Sequence, residues 1–399
     1  MRETVLAQKW IPKGHPTYYK LIEELSNKGI PLTILFHCRE PLKGLGWIKI
    51  IRFKQINGKI IVLPCYSTGF IPWRIEYKLN RLFHFLVLFF LVVIFKPAMI
   101  YTDKAHGKEA AFFALIGKVV FLRMYGVTKD LCDFMMRNQR KTIKSLTYYS
   151  FLSKFSYVLG TLDGSEIEKF FLKYLHPSVP RDILLNGVDS LPGERESGYD
   201  LRFEYNIDRK KKIILFIGRF SQEKGVFEFL ELIKMLSQLT DCFIALMIGY
   251  GPLENALKEV VKREKLTNVV KIEGSIEHSK VSKVMSQSDL MVSFNKEGNL
   301  CNTVLEALSV CLPVLTYKDE HTSSLYRDTI PLVGKDDSAT YISKKVYRLI
   351  TDDQELNILK KKIERFSNKN LYSWQYRIEK EIKIILNILN RNQGVHEYT

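Results

Sequence analysis

Beyond Lys212 the chain alternates short apolar runs with amphipathic segments of helical length, and this alternation limits the fold more than any other feature. Residues 213–217, 243–248, 269–272, 290–293 and 314–316 read as strands, with helices between them at 226–239, 253–264, 279–286 and 303–309. Strands separated by helices do not pair as hairpins; they lie parallel, in a sheet covered by helices on both faces. The first half alternates less regularly. Strands are expected at 4–7, 32–36, 47–53, 60–63, 99–101, 119–124, 157–159 and 183–185, with Asn57-Gly58 as a hairpin signal. Helices are expected at 18–25, 73–95, 108–117, 131–153 and 166–174. A chain of 399 residues is too long for one ordinary core. The expected fold is α/β, with two doubly wound domains and a cleft between them. The link falls at 191–211, where periodicity weakens and Pro192, glycines and charges gather.

Two stretches carry chemistry. Residues 212–225 read KIILFIGRFSQEKG. The strand breaks at Gly218, Arg219 and Lys224 flank a polar turn, and Gly225 opens the next helix. Ligands of open α/β sheets bind beyond the carboxyl ends of the strands, and a helix N-terminus there favours anions. Arg offers a planar fork for phosphate, and Lys a mobile point charge. On these residues alone a solvated loop fits as well. Residues 297–307 read EGNLCNTVLEA. Gly298 permits close backbone approach, while Asn299, Asn302 and Thr303 suit a turn and an N-cap. Free amides at such a helix start can hold a diphosphate, and Glu306, one turn in, can accept two vicinal hydroxyls such as those of a ribose. The plainer alternative is a capped helix with a solvated Glu306.

Together the two stretches resemble the retaining glycosyltransferases of family 4, also called group 1 glycosyltransferases. The most specific match is Gly218-Arg219-Phe-Ser-Gln-Glu-Lys224-Gly225, similar to the family's G-R-x-x-x-E-K-G. Ile248-Gly249-Tyr-Gly251-Pro252, Gly274, Glu306-Ala-Leu-Ser-Val-Cys-Leu-Pro313 and Asn186-Gly187-Val188-Asp189 extend the resemblance through most of the chain. It implies the GT-B architecture of two facing Rossmann-like domains. Residues 1–190 would bind the acceptor, 191–211 link, 212–370 bind the nucleotide sugar, and 371–399, opening at Tyr372-Ser373-Trp374, cross back as a helix onto the first domain.

The resemblance also implies roles. Arg219 and Lys224 would neutralise the donor diphosphate, Glu306 would hold the nucleotide ribose, and Gly14 would face the phosphates across the cleft. The turn from Gly274 to Glu277 would lie near the base. Two departures stand out. The first glutamate of the family's E-x7-E falls at Gly298, with Glu297 one residue early, so Glu297 or Asn299 is expected to serve the donor sugar. Many members carry a His where Tyr125 stands, near the reacting sugar; His106 on the neighbouring loop is the candidate substitute. The implied reaction moves a sugar from a nucleotide diphosphate sugar to an acceptor hydroxyl with retention. No Asp-x-Asp follows a strand, so metal independence is expected, with no cofactor.

The net charge of +17 points to anionic partners without choosing among them. No nucleic-acid-binding motif appears and the basic residues are dispersed, so nucleic acid is not an expected partner. A lipid-linked or glycan acceptor, with peripheral contact at an anionic membrane, suits the basic surplus and the apolar first half. The six cysteines are scattered and form no metal-ligand pattern, which fits reduced thiols in a cytoplasmic protein. The N-terminal residues lack the apolar core of a signal peptide. The strongest apolar run, FLVLFFLVVIF at 85–95, falls short of a span, and a helix buried under a sheet is the expectation, with a membrane contact as the alternative. The competing readings are a basic nucleotide- or nucleic-acid-binding protein without transferase activity, and another GT-B enzyme such as a sugar-nucleotide epimerase.

Overall fold

The computed structural model describes residues 10, 16–38, 41, 47–137, 146–189, 198–319, 323–326 and 329–392. The expected strand at 4–7 and Gly14 lie outside these, as does residue 190–197 of the linker region and 138–145 of the long helix expected at 131–153. In the first half, β1 (Leu32–His37), β2 (Lys49–Arg52) and β3 (Gly58–Leu63) form a sheet in the order β1-β3-β2. β2 and β3 are antiparallel, with Ile50 opposite Ile61, so the Asn57-Gly58 turn does close a hairpin. β4 (Ile100–Asp103), β5 (Val120–Met124), β6 (Tyr157–Leu162) and β7 (Arg181–Leu185) form a second, fully parallel sheet in chain order.

The second half carries a six-stranded parallel sheet. Its strands are β8 (Lys212–Ile217), β9 (Phe243–Ile248), β10 (Val270–Glu273), β11 (Leu290–Ser293), β12 (Val314–Tyr317) and β13 (Leu332–Val333), ordered β10-β9-β8-β11-β12-β13. All six residues of β9 are buried, as a strand covered on both faces requires. Strand order reverses between β8 and β11, which makes that junction the switch point where such sheets bind ligands. Leu201 and Ile207, within the stretch expected to link the domains, pack into this second core.

The helix Trp374–Asn392 leaves the second half and lies on the first. Ile378, Ile382 and Ile385, at helical spacing, pack with Leu21, Leu25, Phe121 and Leu159. Among them lies a charge cluster sealed from water. Glu381 is fully buried, accepts from Arg377 at 2.9 Å and from the Tyr101 hydroxyl at 2.6 Å, and faces Arg123 at 3.5 Å. Arg123 also donates to the carbonyls of Met124 and Leu159 and to Thr161.

One expectation is overturned. The helix Trp73–Phe95 forms as expected, but only Asn80, His84 and Val92 are buried on it. Phe85, Leu88 and Phe89 are half-buried against the first half, while Ile75, Leu79, Leu82, Leu86, Phe90 and Val93 are exposed. An all-apolar run has no periodicity to say which side is covered.

Removing Glu381 leaves two buried guanidinium groups without their shared counter-charge, and breaking a buried pair this way costs about 3–5 kcal/mol. Urea unfolding of Glu381→Ala is therefore expected to show a loss of that order. Tyr101→Phe, which removes one hydrogen bond to the carboxylate, should cost no more than about 1.5–3 kcal/mol. Equal stability of Glu381→Ala and the unaltered chain would contradict the role given to this cluster.

Candidate functional site

The loop after β8 is held open by its own backbone. Gly225 takes φ 70° at the start of the helix Val226–Ser237, and a side chain there would run into Phe294. The preceding turn, Gln222–Lys224, places Lys224 half-buried, with its ammonium 3.5 Å from the Asn295 side-chain oxygen on the loop after β11. Arg219 is exposed at the strand's carboxyl end. Ser221 donates to Glu223 at 2.6 Å. That hydrogen bond and the nearby cations hold the Glu223 carboxyl below its ordinary range.

The loop after β11 meets the first half directly. Leu300 donates its amide to the Asp163 carbonyl at 3.1 Å, and the Asn186 side chain donates to Asn302 at 2.7 Å. A side chain at Gly298 would strike the Asp163 carbonyl. The family's glutamate therefore has no room at 298 in this arrangement. Glu297 instead lines an interdomain cavity of about 510 Å³, with Gly298, Gln222 and Asn295 from the second half and Thr128 and Ser165 from the first.

Asn299 lines the same cavity, and the N-cap expected at Asn302 or Thr303 falls elsewhere. Asn299 is buried and donates to the Tyr317 carbonyl, while Tyr326 donates to the Asn299 carbonyl, so Asn299 braces the loop. Neither Asn302 nor Thr303 is the N-cap of the helix Asn302–Ser309; Cys301 is, without a side-chain cap bond. The Asn302 side chain joins the two halves instead.

Glu306 faces inward from this helix, and burial pushes its pKa up to about 7 against the pull of His278. His278 bonds Asp189 at 2.7 Å, and Asp189 pairs with Lys20 at 3.1 Å. The ligand atoms of Asp189, His278 and Glu306 lie within 4.8 Å of one another, and Lys20 already brings positive charge to that group. Lys20 and His278 sit in no motif of the sequence, and Asp189 closes the phrase Asn186-Gly187-Val188-Asp189.

On the first half, three histidines form a column. The His37 ring lies edge-on to His84 at 4.9 Å and to His106 at 4.8 Å. His84 bonds the Pro64 carbonyl at 2.7 Å, and His106 pairs with Asp103 at 3.2 Å. His37 ends β1 and Asp103 ends β4, so the column stands at the carboxyl edge, where position along the strands alone flags it. Lys104 is also there, its ammonium on the Gly126 carbonyl at 2.5 Å. Burial lowers the Lys104 pKa, while Asp163 and Glu297 oppose that. Tyr125, at the end of β5, packs on the interior charge cluster. Its ring lies 4.6 Å from the Arg123 guanidinium, and burial pushes its pKa up to about 12.

A pair of facing parallel-sheet units with a polar cleft at the strand ends defines the GT-B fold. Residues 199–366 match the model of the family described as Glycosyl transferases group 1. A solved structure of sucrose-phosphate synthase from Thermosynechococcus elongatus superposes with a TM-score of 0.70 over 95% of this chain and 94% of that one, at 15% identity. The 2-deoxystreptamine N-acetyl-D-glucosaminyltransferase of Niallia circulans is 25% identical over 36% of this chain and 37% of its own. The alpha-monoglucosyldiacylglycerol synthase of Streptococcus pneumoniae is 24% identical over 53% of this chain and 49% of its own. The matches thus span about half or less of these relatives' length.

The histidine column predicts a pH signature. Burial, then His106 and His84, depress the His37 pKa from 6.5 to about 3. Between those values the unfolded chain binds a proton that the folded chain refuses. The stability this neutral ring contributes is present above 6.5 and is lost as pH falls toward 3. Urea unfolding of His37→Gln should show a flatter decline over that window than the unaltered chain.

Proposed function

We propose that the chain is a glycosyltransferase that moves a sugar from a nucleotide diphosphate sugar to an acceptor hydroxyl, retaining anomeric configuration. The observation that carries this reading is the switch-point arrangement: Lys224 joined to Asn295 across β8 and β11, with Glu306 sunk one turn into the following helix. Arg219 and Lys224 meet the diphosphate. The Glu306 carboxylate accepts two ribose hydroxyls. Glu297, on the cavity wall, orients the donor sugar.

The hard step is departure of the anionic diphosphate, and cations and amides already aimed at that charge are the main source of catalysis. The bond from the anomeric carbon to the phosphate oxygen breaks. A bond to the acceptor oxygen forms on the same face, and the acceptor proton passes to the departing phosphate oxygen. Neither a protein base nor a metal ion has a step to perform. His106, paired with Asp103, is placed to orient the acceptor hydroxyl from the first half. The acceptor we infer is lipid-linked and met at the cytoplasmic face of an anionic membrane.

Thermal unfolding with UDP, GDP and ADP tests the donor site. A nucleotide at about 100 times its Kd should add roughly 2.7 kcal/mol, or several degrees at about 2–4 °C per kcal/mol. One nucleotide should shift the unaltered chain, and Lys224→Ala should lose most of the shift. No shift with any of the three would move a non-transferase binding protein ahead. Turnover should survive EDTA; loss of activity that Mn²⁺ restores would refute metal independence.

Glu306 adds a pH test. With its pKa near 7, only the ionised fraction accepts from both hydroxyls, so nucleotide affinity should rise as pH passes upward through 7. Glu306→Gln should bind more weakly and show no such rise.

A further inference from the structure

We propose that the outer face of the helix Trp73–Phe95 docks the protein flat on an anionic lipid bilayer. Ile75, Leu79, Leu82, Leu86, Phe90 and Val93 follow one another at three- and four-residue spacing, and each is 46–60% exposed. They form one continuous apolar stripe along the helix. The buried side of the same helix carries Asn80 and His84. Val92 is buried with them, and Leu88 and Phe89 pack on the first core, so the helix has apolar surface to spare on the side turned away from the protein. Exposed patches of this extent mark interaction surfaces, and an apolar outer face of this length fits a lipid environment.

The inner bonds decide how the helix sits. Its 23 residues give a length of about 34 Å, enough by length to cross a bilayer. Asn80 is tied to the backbone of Tyr66 by 2.7 and 2.8 Å bonds, and His84 to the Pro64 carbonyl. A helix held along one side by its own domain lies in the interface instead of crossing it.

Charge selects the partner. Arg74 and Lys78 are exposed at one end of the stripe and Lys96 at the other. The Arg74 guanidinium lies 5.7 Å from the Trp73 ring, and Lys59 lies 3.8 Å over Phe95. The helix's acid, Glu76, is engaged by Ser67 and Thr68. Apolar contact flanked by cations matches anionic headgroups over acyl chains. A second copy laid on this stripe would set cations against cations in either direction, which disfavours self-association. The basic run at 209–212 is a poorer candidate for such contact, because Lys211 pairs with Asp241 and Lys212 with Asp353 and Asp289.

The docking face and the acceptor side are two faces of one helix. His84, on the inner side, stands in the column with His37 and His106. A helix is about 10–12 Å across, so an acceptor anchored in the bilayer would present its hydroxyl within reach of that column. The identity of the acceptor rests on the transferase reading; the docking does not.

The test is flotation of the full chain with vesicles of phosphatidylcholine alone, or with about one-third phosphatidylglycerol, at low salt. The chain should float with the anionic vesicles. Leu86→Ser/Phe90→Ser and Arg74→Glu/Lys78→Glu should each reduce binding by about tenfold or more, and both should keep the nucleotide-induced thermal shift. Variants that float like the unaltered chain would overturn the proposal, as would a chain that floats with neither vesicle. A concentration-dependent dimer that the Leu86→Ser/Phe90→Ser variant abolishes, without flotation, would assign the face to self-association. Flotation without any nucleotide shift would leave the docking standing and remove the transferase reading.

Discussion

A single carboxylate joins the first domain to the last helix of the chain. Glu381 lies between Arg377 on its own helix and Arg123 on β5; the Tyr101 hydroxyl of β4 shares the oxygen that faces Arg123, and Arg377 holds the other. Two cations and one anion in a sealed interior tolerate few alternative placements, so this cluster specifies where the crossover helix lies, with Nε and Nη2 of Arg377 left without a hydrogen-bond partner among the described residues. The apolar contacts of Ile378, Ile382 and Ile385 supply attraction but little register. The ion cluster supplies register. The position of the second domain follows, because that helix continues directly from it.

From that placement the site follows in two parts. The second domain brings a switch point with a cation, a short amide-rich loop and a carboxylate whose proton is finely balanced. The first brings a carboxyl edge lined with three imidazole rings and Lys104. Neither half holds the cavity alone, since Glu297 and Gln222 face Thr128 and Ser165 across it. Gly298 marks how close the halves come: the backbone of one domain occupies the space a side chain of the other would need.

Much of this was legible in the sequence where burial on both faces enforces continuous apolar strands. β8 to β12 and the phrase around Arg219 and Lys224 could be read directly, and so could the helix opening at Trp374. The long helix at Trp73–Phe95 was legible as a helix but not in its orientation, because a run that is apolar all round carries no record of which side meets the protein. The Tyr101–Glu381 bond spans 280 positions, and no local pattern announces it. The cluster of Lys20, Asp189, His278 and Glu306 draws on four separate elements. Only Glu306 sits in a motif whose spacing implies chemistry. The N-cap expected at Asn302 or Thr303 was not legible because short polar side chains suit turns, caps and interdomain bonds alike; which of these they make is set by neighbours far away in sequence.

The chain passes between the domains twice, and the two passages touch. Val188 exchanges backbone hydrogen bonds with Tyr372 and Trp374, at 3.0 and 3.2 Å, where the outgoing strand meets the returning one. Two separated tethers would permit sliding and twisting alike; two tethers pinned side by side act as a single pivot. Opening of the cleft is then a rotation about that point. Its size at any place grows with distance from the pivot, and its first events are the rupture of the Leu300–Asp163 and Asn186–Asn302 bonds. Release of a spent nucleotide would keep pace with that swing, so its rate would answer to substitutions at the pivot that touch no ligand at all.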